Sequence, residues 1–130
     1  MKHKLRNESG QSMVEFALIL PVLLFIVIGI IEFGFMFSGY LALTNASREA
    51  VRYISLGGDN VSAIQRAKDV SMNLDPNQMT VLIDPSGGIR ERGDSVKVTI
   101  QYDYKFLTPF FGVLFGNTLE LEVDAVMRVE

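Results

Sequence analysis

Residues 16–31 read FALILPVLLFIVIGII, sixteen positions without a charge or a strongly polar side chain. Extended to Phe37, the segment has 22 residues and one charge, Glu32. At about 1.5 Å per helical residue it spans roughly 33 Å, enough to cross a bilayer core of about 30 Å. We read residues 16–37 as a transmembrane helix. The preceding decapeptide, MKHKLRNESG, sets Lys2, Lys4 and Arg6 against Glu8. A basic flank before an apolar run resembles a secretory signal, but this run outlasts a typical h-region and no A-x-A site follows it, so we expect the helix to be retained. The positive-inside rule then predicts a single pass, with the N-terminus in the cytoplasm and residues 40–130 outside the cytoplasmic membrane.

Working outward, YLALTNASREAVRYISL at 40–56 keeps the helical period through Tyr40, Leu43, Ser47, Ala50 with Val51, and Ile54. Gly57-Gly58 ends it. A single helix over 11–56 follows, 46 residues and roughly 69 Å long. Asp59 or Asn60 caps a second helix from about Val61 to Leu74, with Val61, Ile64, Ala67, Ser71 and Leu74 facing inward. Asp75-Pro76-Asn77 breaks it, and a short strand follows at Met79, Val81 and Ile83. Val96, Val98, Ile100, Tyr102, Tyr104 and Phe106 alternate with polar residues, and so do Leu119, Leu121, Val123, Ala125, Met127 and Val129. Period-two alternation predicts an antiparallel sheet with one solvated face, covered on the other by the two helices. The expected class is α+β: a long N-terminal helix, a second helix and roughly three antiparallel strands. The expected layout is a leader at 1–10, the long helix at 11–56 and an extracytoplasmic α+β domain at 57–130. Lys97 and Lys105 are expected to face Glu120 and Glu122 across the sheet. Two readings compete for the loop at 106–117, FLTPFFGVLFGN: its aromatics fold over the sheet edge, or they form an exposed apolar patch for a membrane surface or a partner.

Composition excludes several function classes. At 130 residues the chain holds one small domain. Twelve Lys+Arg against fifteen Asp+Glu leave a net charge of −3, no surplus with which to bind nucleic acid. Without cysteine there are no disulfides, thiolate-held metals or thiol catalysis, and the only histidine, His3, lies in the leading tail. Asp75, Asp84, Asp94 and Asp103 lack calcium-loop spacing. Gly87-Gly88 and Arg92-Gly93-Asp94 read as turns. No nucleophile–base arrangement stands out. We therefore expect no enzyme activity, cofactor, metal or small-molecule substrate.

The residues that invite a functional reading lie along the first helix. Pro21, Gly29 and Gly34 suit a membrane helix, which they can kink or open to close helix–helix contact. Glu15 and Glu32 flank the apolar run as interfacial carboxylates. Seventeen residues separate them, so at about 100° per residue they fall on different faces and form no acid–base dyad. Gly10-Gln11-Ser12-Met13-Val14-Glu15-Phe16, a Gly, four residues, Glu and an aromatic ahead of a long apolar run, resembles the processing site of class IV prepilins. With ALILPVLLFIVIGIIEFG behind it, and Leu43, Asn45-Ala46, Arg48-Glu49-Ala50 and Arg52-Tyr53 beyond, the chain resembles the TadE-like pseudopilins of tight-adherence (Flp, type IVc) pili from residue 10 to about 55.

That resemblance implies cleavage between Gly10 and Gln11 by a prepilin peptidase, with Glu15 and Phe16 serving recognition and helix registry. It implies assembly through the helix, with Pro21, Gly29, Glu32 and Gly34 available for packing. It also implies a bacterial inner-membrane location, possible entry into the pilus, and as partners the peptidase, other pilin or pseudopilin subunits and the membrane assembly machinery. Physically, a new amine on Gln11 would lie one turn from Glu15, where low dielectric strengthens their pairing. Alternatively Glu15 only complements the helix dipole of an uncleaved anchor. Two rival functions stay open: an uncleaved single-span structural or binding protein, and a membrane-tethered extracytoplasmic enzyme.

Overall fold

A computed structural model describes residues 8–87 and 89–130. The basic leader residues Lys2, Lys4 and Arg6, with His3, and Gly88 of the expected turn lie outside the described residues. Among those described, the order is α1 (Glu8–Ser55), α2 (Asn60–Val70), a 3-10 turn (Pro76–Gln78), β1 (Met79–Asp84), β2 (Ser95–Lys105), α3 (Pro109–Phe115) and β3 (Thr118–Arg128). The fold is α+β, with a long apolar N-terminal helix, a second helix and an antiparallel sheet of order β1-β2-β3. The structure divides into two compact units, one ending at Gly34 and the other running from Phe35 to Glu130.

The first unit is helix. Its large apolar side chains, among them Phe16, Leu18, Ile19, Val22 and Ile30, are exposed, so no core of its own covers them.

In the second unit, α1 contributes Leu43, Ala46, Ser47, Ala50, Val51 and Ile54, all buried. Their spacing of three and four places them in one stripe. Small residues at 46, 47 and 50 let the helix lie close on the sheet. The two buried serines need partners, and find them inside the helix: Ser47 Oγ donates to the Thr44 carbonyl at 2.9 Å and Ser55 Oγ to that of Arg52 at 2.8 Å. The helix ends in a Schellman arrangement. Gly58 N–H donates to the Tyr53 carbonyl and Gly57 N–H to that of Ile54, both at 3.0 Å, with Gly57 at φ 93°. Gly58 is required sterically, because a Cβ there would run into the Tyr53 ring.

Asp59 is the α2 N-cap, its carboxylate accepting from the Ser62 N–H at 2.9 Å. The inward face of α2 differs from expectation. Ala67 and Ser71 are buried as expected, and Ile64 and Leu74 pack partly against the core, but Val61 is exposed and Ala63 is buried in its place. Alanines allow the closer approach, and that sets the rotation of the helix. The helix also stops at Val70 rather than Leu74. Ser71 Oγ turns back to the Ala67 carbonyl at 2.8 Å, a local bond that competes with helix continuation. Arg66 ties α2 to α1, pairing with Glu49 at 3.2 Å and lying 4.4 Å from the Tyr53 ring centroid.

β1 pairs with β2 from Met79↔Tyr102 to Asp84↔Lys97, and β2 with β3 from Ser95↔Arg128 to Lys105↔Thr118. One face is buried through Met79, Ile83, Val96, Val98, Ile100, Tyr102, Tyr104 and Val123. On the other face the expected pairing changes. Lys97 lies opposite Val126 and reaches diagonally to Asp124 at 3.0 Å, while Gln101 Nε2 donates to Glu122 at 2.9 Å. Glu120 lies opposite Asp103 and Lys105 opposite Thr118. Residues 92–94 do form the expected turn: Gly93 N–H and Val129 N–H bond at 2.8 Å to the carbonyls of Val129 and Asp94 respectively. The last residue also joins the unit, Glu130 N–H donating to the Ser55 carbonyl at 3.0 Å. Residues 109–115, expected as loop, form α3.

Candidate functional site in the N-terminal helix

α1 begins at Glu8, so Gly10 and Gln11 lie inside its first turns rather than before it. Helix geometry puts Gln11 and Glu15 on one face, one turn apart. The two side chains meet there: Gln11 Nε2 donates to Glu15 Oε1 at 3.2 Å. Both are exposed, as is Phe16. The peptide between Gly10 and Gln11 is helical, and Gly is the weakest helix former after Pro, about 1 kcal/mol below Ala. The arrangement holds a carboxylate one turn beyond the Gln11 backbone nitrogen. That carboxylate can complement the helix dipole, and it can equally meet a cation placed at the nitrogen.

Further along, Pro21 is exposed within the helix without ending it. Gly29 is half-buried and Gly34 exposed, and a Cβ at Gly34 would meet nothing within 4 Å. Within one chain, then, nothing requires glycine at 34. Glu32 differs from the exposed interfacial carboxylate expected: it is 4% exposed. Glu15 and Glu32 are roughly 25 Å apart along the helix by rise alone and are not brought together.

Among the described residues, no group of three or more His, Asp or Glu is placed to hold a metal ion. The Gln11–Glu15 contact was within reach of sequence reasoning, since i,i+4 Gln/Glu spacing on a helix is a standing signal. The burial of Glu32 was not, because no local sequence pattern marks it.

Residues 10–52 match the model of a protein family described as TadE-like protein. These are 43 of the 130 residues, and all of them lie within α1. No curated protein and no solved structure matches the chain.

Proposed function

Starting from a segment, residues 10–52, that is TadE-like, we propose that this protein is a minor pseudopilin of a tight-adherence pilus, processed by a prepilin peptidase. The matched family is structural rather than enzymatic and associates the chain with pilus components. The apolar helix fits a single-pass membrane anchor. The observation that carries the finer reading is where the match begins. It opens at Gly10, the residue after which cleavage is expected, and follows α1 along its apolar surface.

In this reading the peptidase unwinds the first turn and cuts the Gly10–Gln11 peptide. Residues 1–10 stay on the cytoplasmic side. The freed Gln11 amine is positive near neutral pH, and Glu15 replaces its Gln11 side-chain partner with that amine or with the amine of a neighbouring subunit. Phe16 and the apolar surface of residues 16–37 hold the subunit in the bilayer until it packs against other subunits. Gly34, open in the single chain, gives a neighbouring helix room for close approach.

A second reading rests on the Gln11–Glu15 bond. In the intact chain Glu15 already has a neutral partner, which suits an uncleaved anchor as well. Intact mass of the protein extracted from its native membrane, with and without the prepilin peptidase, separates the two. Loss of about 1.2 kDa only when the peptidase is present is the expected result. Gly10→Ala should abolish that loss. An unchanged mass in both strains leaves the anchor, and normal processing of Gly10→Ala moves the cleavage site elsewhere.

A further inference from the structure

Residues 106–117, FLTPFFGVLFGN, contain no charged side chain. In the structure they carry α3 between β2 and β3. Phe106, Phe111 and Phe115 pack on one another with ring centroids 6.1–6.4 Å apart. That contact leaves an apolar surface turned outward: Leu107, Phe110, Leu114 and Phe115 are exposed, and Val113 is 87% exposed. On a small protein, a contiguous surface of this kind marks a contact.

Its position says with what. Leu107 lines a cleft of about 520 Å³ together with Phe35, Ser38 and Gly39. Phe35 to Phe37 close the apolar run of α1. The patch therefore starts at the level where that run ends, within the same compact unit. The loop at the opposite end of the sheet is charged. Between β1 and β2, residues 89–94 include Arg90, Glu91, Arg92 and Asp94. β2 has eleven residues at about 3.3 Å each, which puts roughly 30 Å between residues 89–94 and the patch. Lys105 stands at the border of the patch, lining the same cleft as Asp75.

We propose that residues 106–117 form an interfacial membrane anchor. α3 lies in the headgroup–acyl boundary of the leaflet through which α1 emerges, with Phe110, Val113 and Leu114 among lipid chains. Seven residues make about 10 Å of helix, far short of a bilayer core, so the segment lies in the interface and does not cross it. The occupant is lipid, because an uncharged apolar surface at that depth meets lipid before any other partner. Such an anchor holds the sheet close to the membrane in addition to the hold of the spanning helix. The inference rests on the reading of 16–37 as a membrane span.

The chain has no tryptophan, so single-tryptophan variants give an unambiguous signal. Leu23→Trp reports the span, Val113→Trp the patch and Ile89→Trp the far end of the sheet. All three sites are exposed, which leaves folding undisturbed. The full-length variants are reconstituted in phosphatidylcholine–phosphatidylglycerol vesicles holding lipids brominated near the headgroup or near the chain end. We expect Val113→Trp to lose roughly half or more of its emission to the headgroup-proximal bromines, Leu23→Trp to be quenched best by the deep ones, and Ile89→Trp to keep water-like emission. Quenching of Leu23→Trp with Val113→Trp no better quenched than Ile89→Trp overturns the anchor and keeps the span. A blue-shifted but unquenched Val113→Trp overturns it in favour of cover by another protein chain. If Leu23→Trp also escapes quenching, the span fails and the anchor fails with it.

Discussion

Leu23 and Leu43 stand on the same helix, about five and a half turns apart, and meet opposite surroundings. Leu23 is 49% exposed and Leu43 fully buried. The difference is repeated residue by residue. Phe16, Leu18, Ile19 and Ile26 have no cover, whereas Ala46, Ala50, Val51 and Ile54 are packed against the sheet. A helix exposes an apolar surface this long in water only at a large free-energy cost, about 25 cal/mol per Å². Among the described residues the chain supplies a cover for one half of α1 and none for the other. The covered half interleaves small residues, Ala46, Ser47 and Ala50, with Leu43, Val51 and Ile54.

The sharpest way to break this contrast is to put a charge on the covered half. Ala50→Glu places a carboxylate between α1 and the sheet with no cation to receive it. It should cost on the order of 4 kcal/mol or more and remove the protease-resistant core of the second unit. Urea unfolding and limited proteolysis of the full chain in detergent micelles read this directly. A variant that keeps wild-type stability would mean the second half of α1 is not packed on the sheet.

A smaller effect comes from truncating the two leucines. Leu43→Ala should destabilise the second unit by about 2–5 kcal/mol, the usual range for a buried leucine. Leu23→Ala should leave the same transition within about 0.5 kcal/mol, as expected of a side chain outside the core. Equal shifts for the two variants would dissolve the distinction between the halves.

The same division explains what could be read in advance. Strands β2 and β3 were legible because one face of the sheet is wet, which writes burial into the sequence as strict alternation. The TadE-like segment was legible because its Gly–Glu–Phe pattern and apolar run are local. The inward face of α2 was legible at Ala67 and Ser71 but not at its start, because Val61 suggests an inward position by hydrophobicity while Ala63 takes it by size, and only the packed partner decides that. The Lys97–Asp124 pair needed the register of two strands, since a shift of two positions changes every cross-strand neighbour. α3 was missed although Thr108-Pro109 is an N-cap–N1 signature. Seven residues with a central glycine carry too little periodicity to show a helix. At the head of α1, the expected start at Gln11 came from the cleavage reading, whereas the first turn forms from Glu8.

The smallest effect concerns the seam where the covered half of α1 hands over to the rest of its unit. Asp59 caps α2 immediately after the Gly57-Gly58 turn, and the Ser62 N–H holds its carboxyl below the ordinary value of 3.8. A lowered folded-state pKa means that the unfolded chain binds the proton first as pH falls. The stabilisation is thus complete above the ordinary carboxylate range, declines as pH drops through 3.8, and is gone once the folded-state carboxyl is protonated. Asp59→Asn keeps a capping oxygen but cannot titrate. Wild type and Asp59→Asn should therefore differ slightly in stability near neutral pH and converge in acid, read as thermal midpoints of the full chain in micelles across that range. A difference that persists unchanged below the folded-state pKa would show that the carboxylate acts through something other than its charge on the cap. The charged hydrogen bond to the Ser62 N–H would then be the wrong account of how Asp59 caps α2.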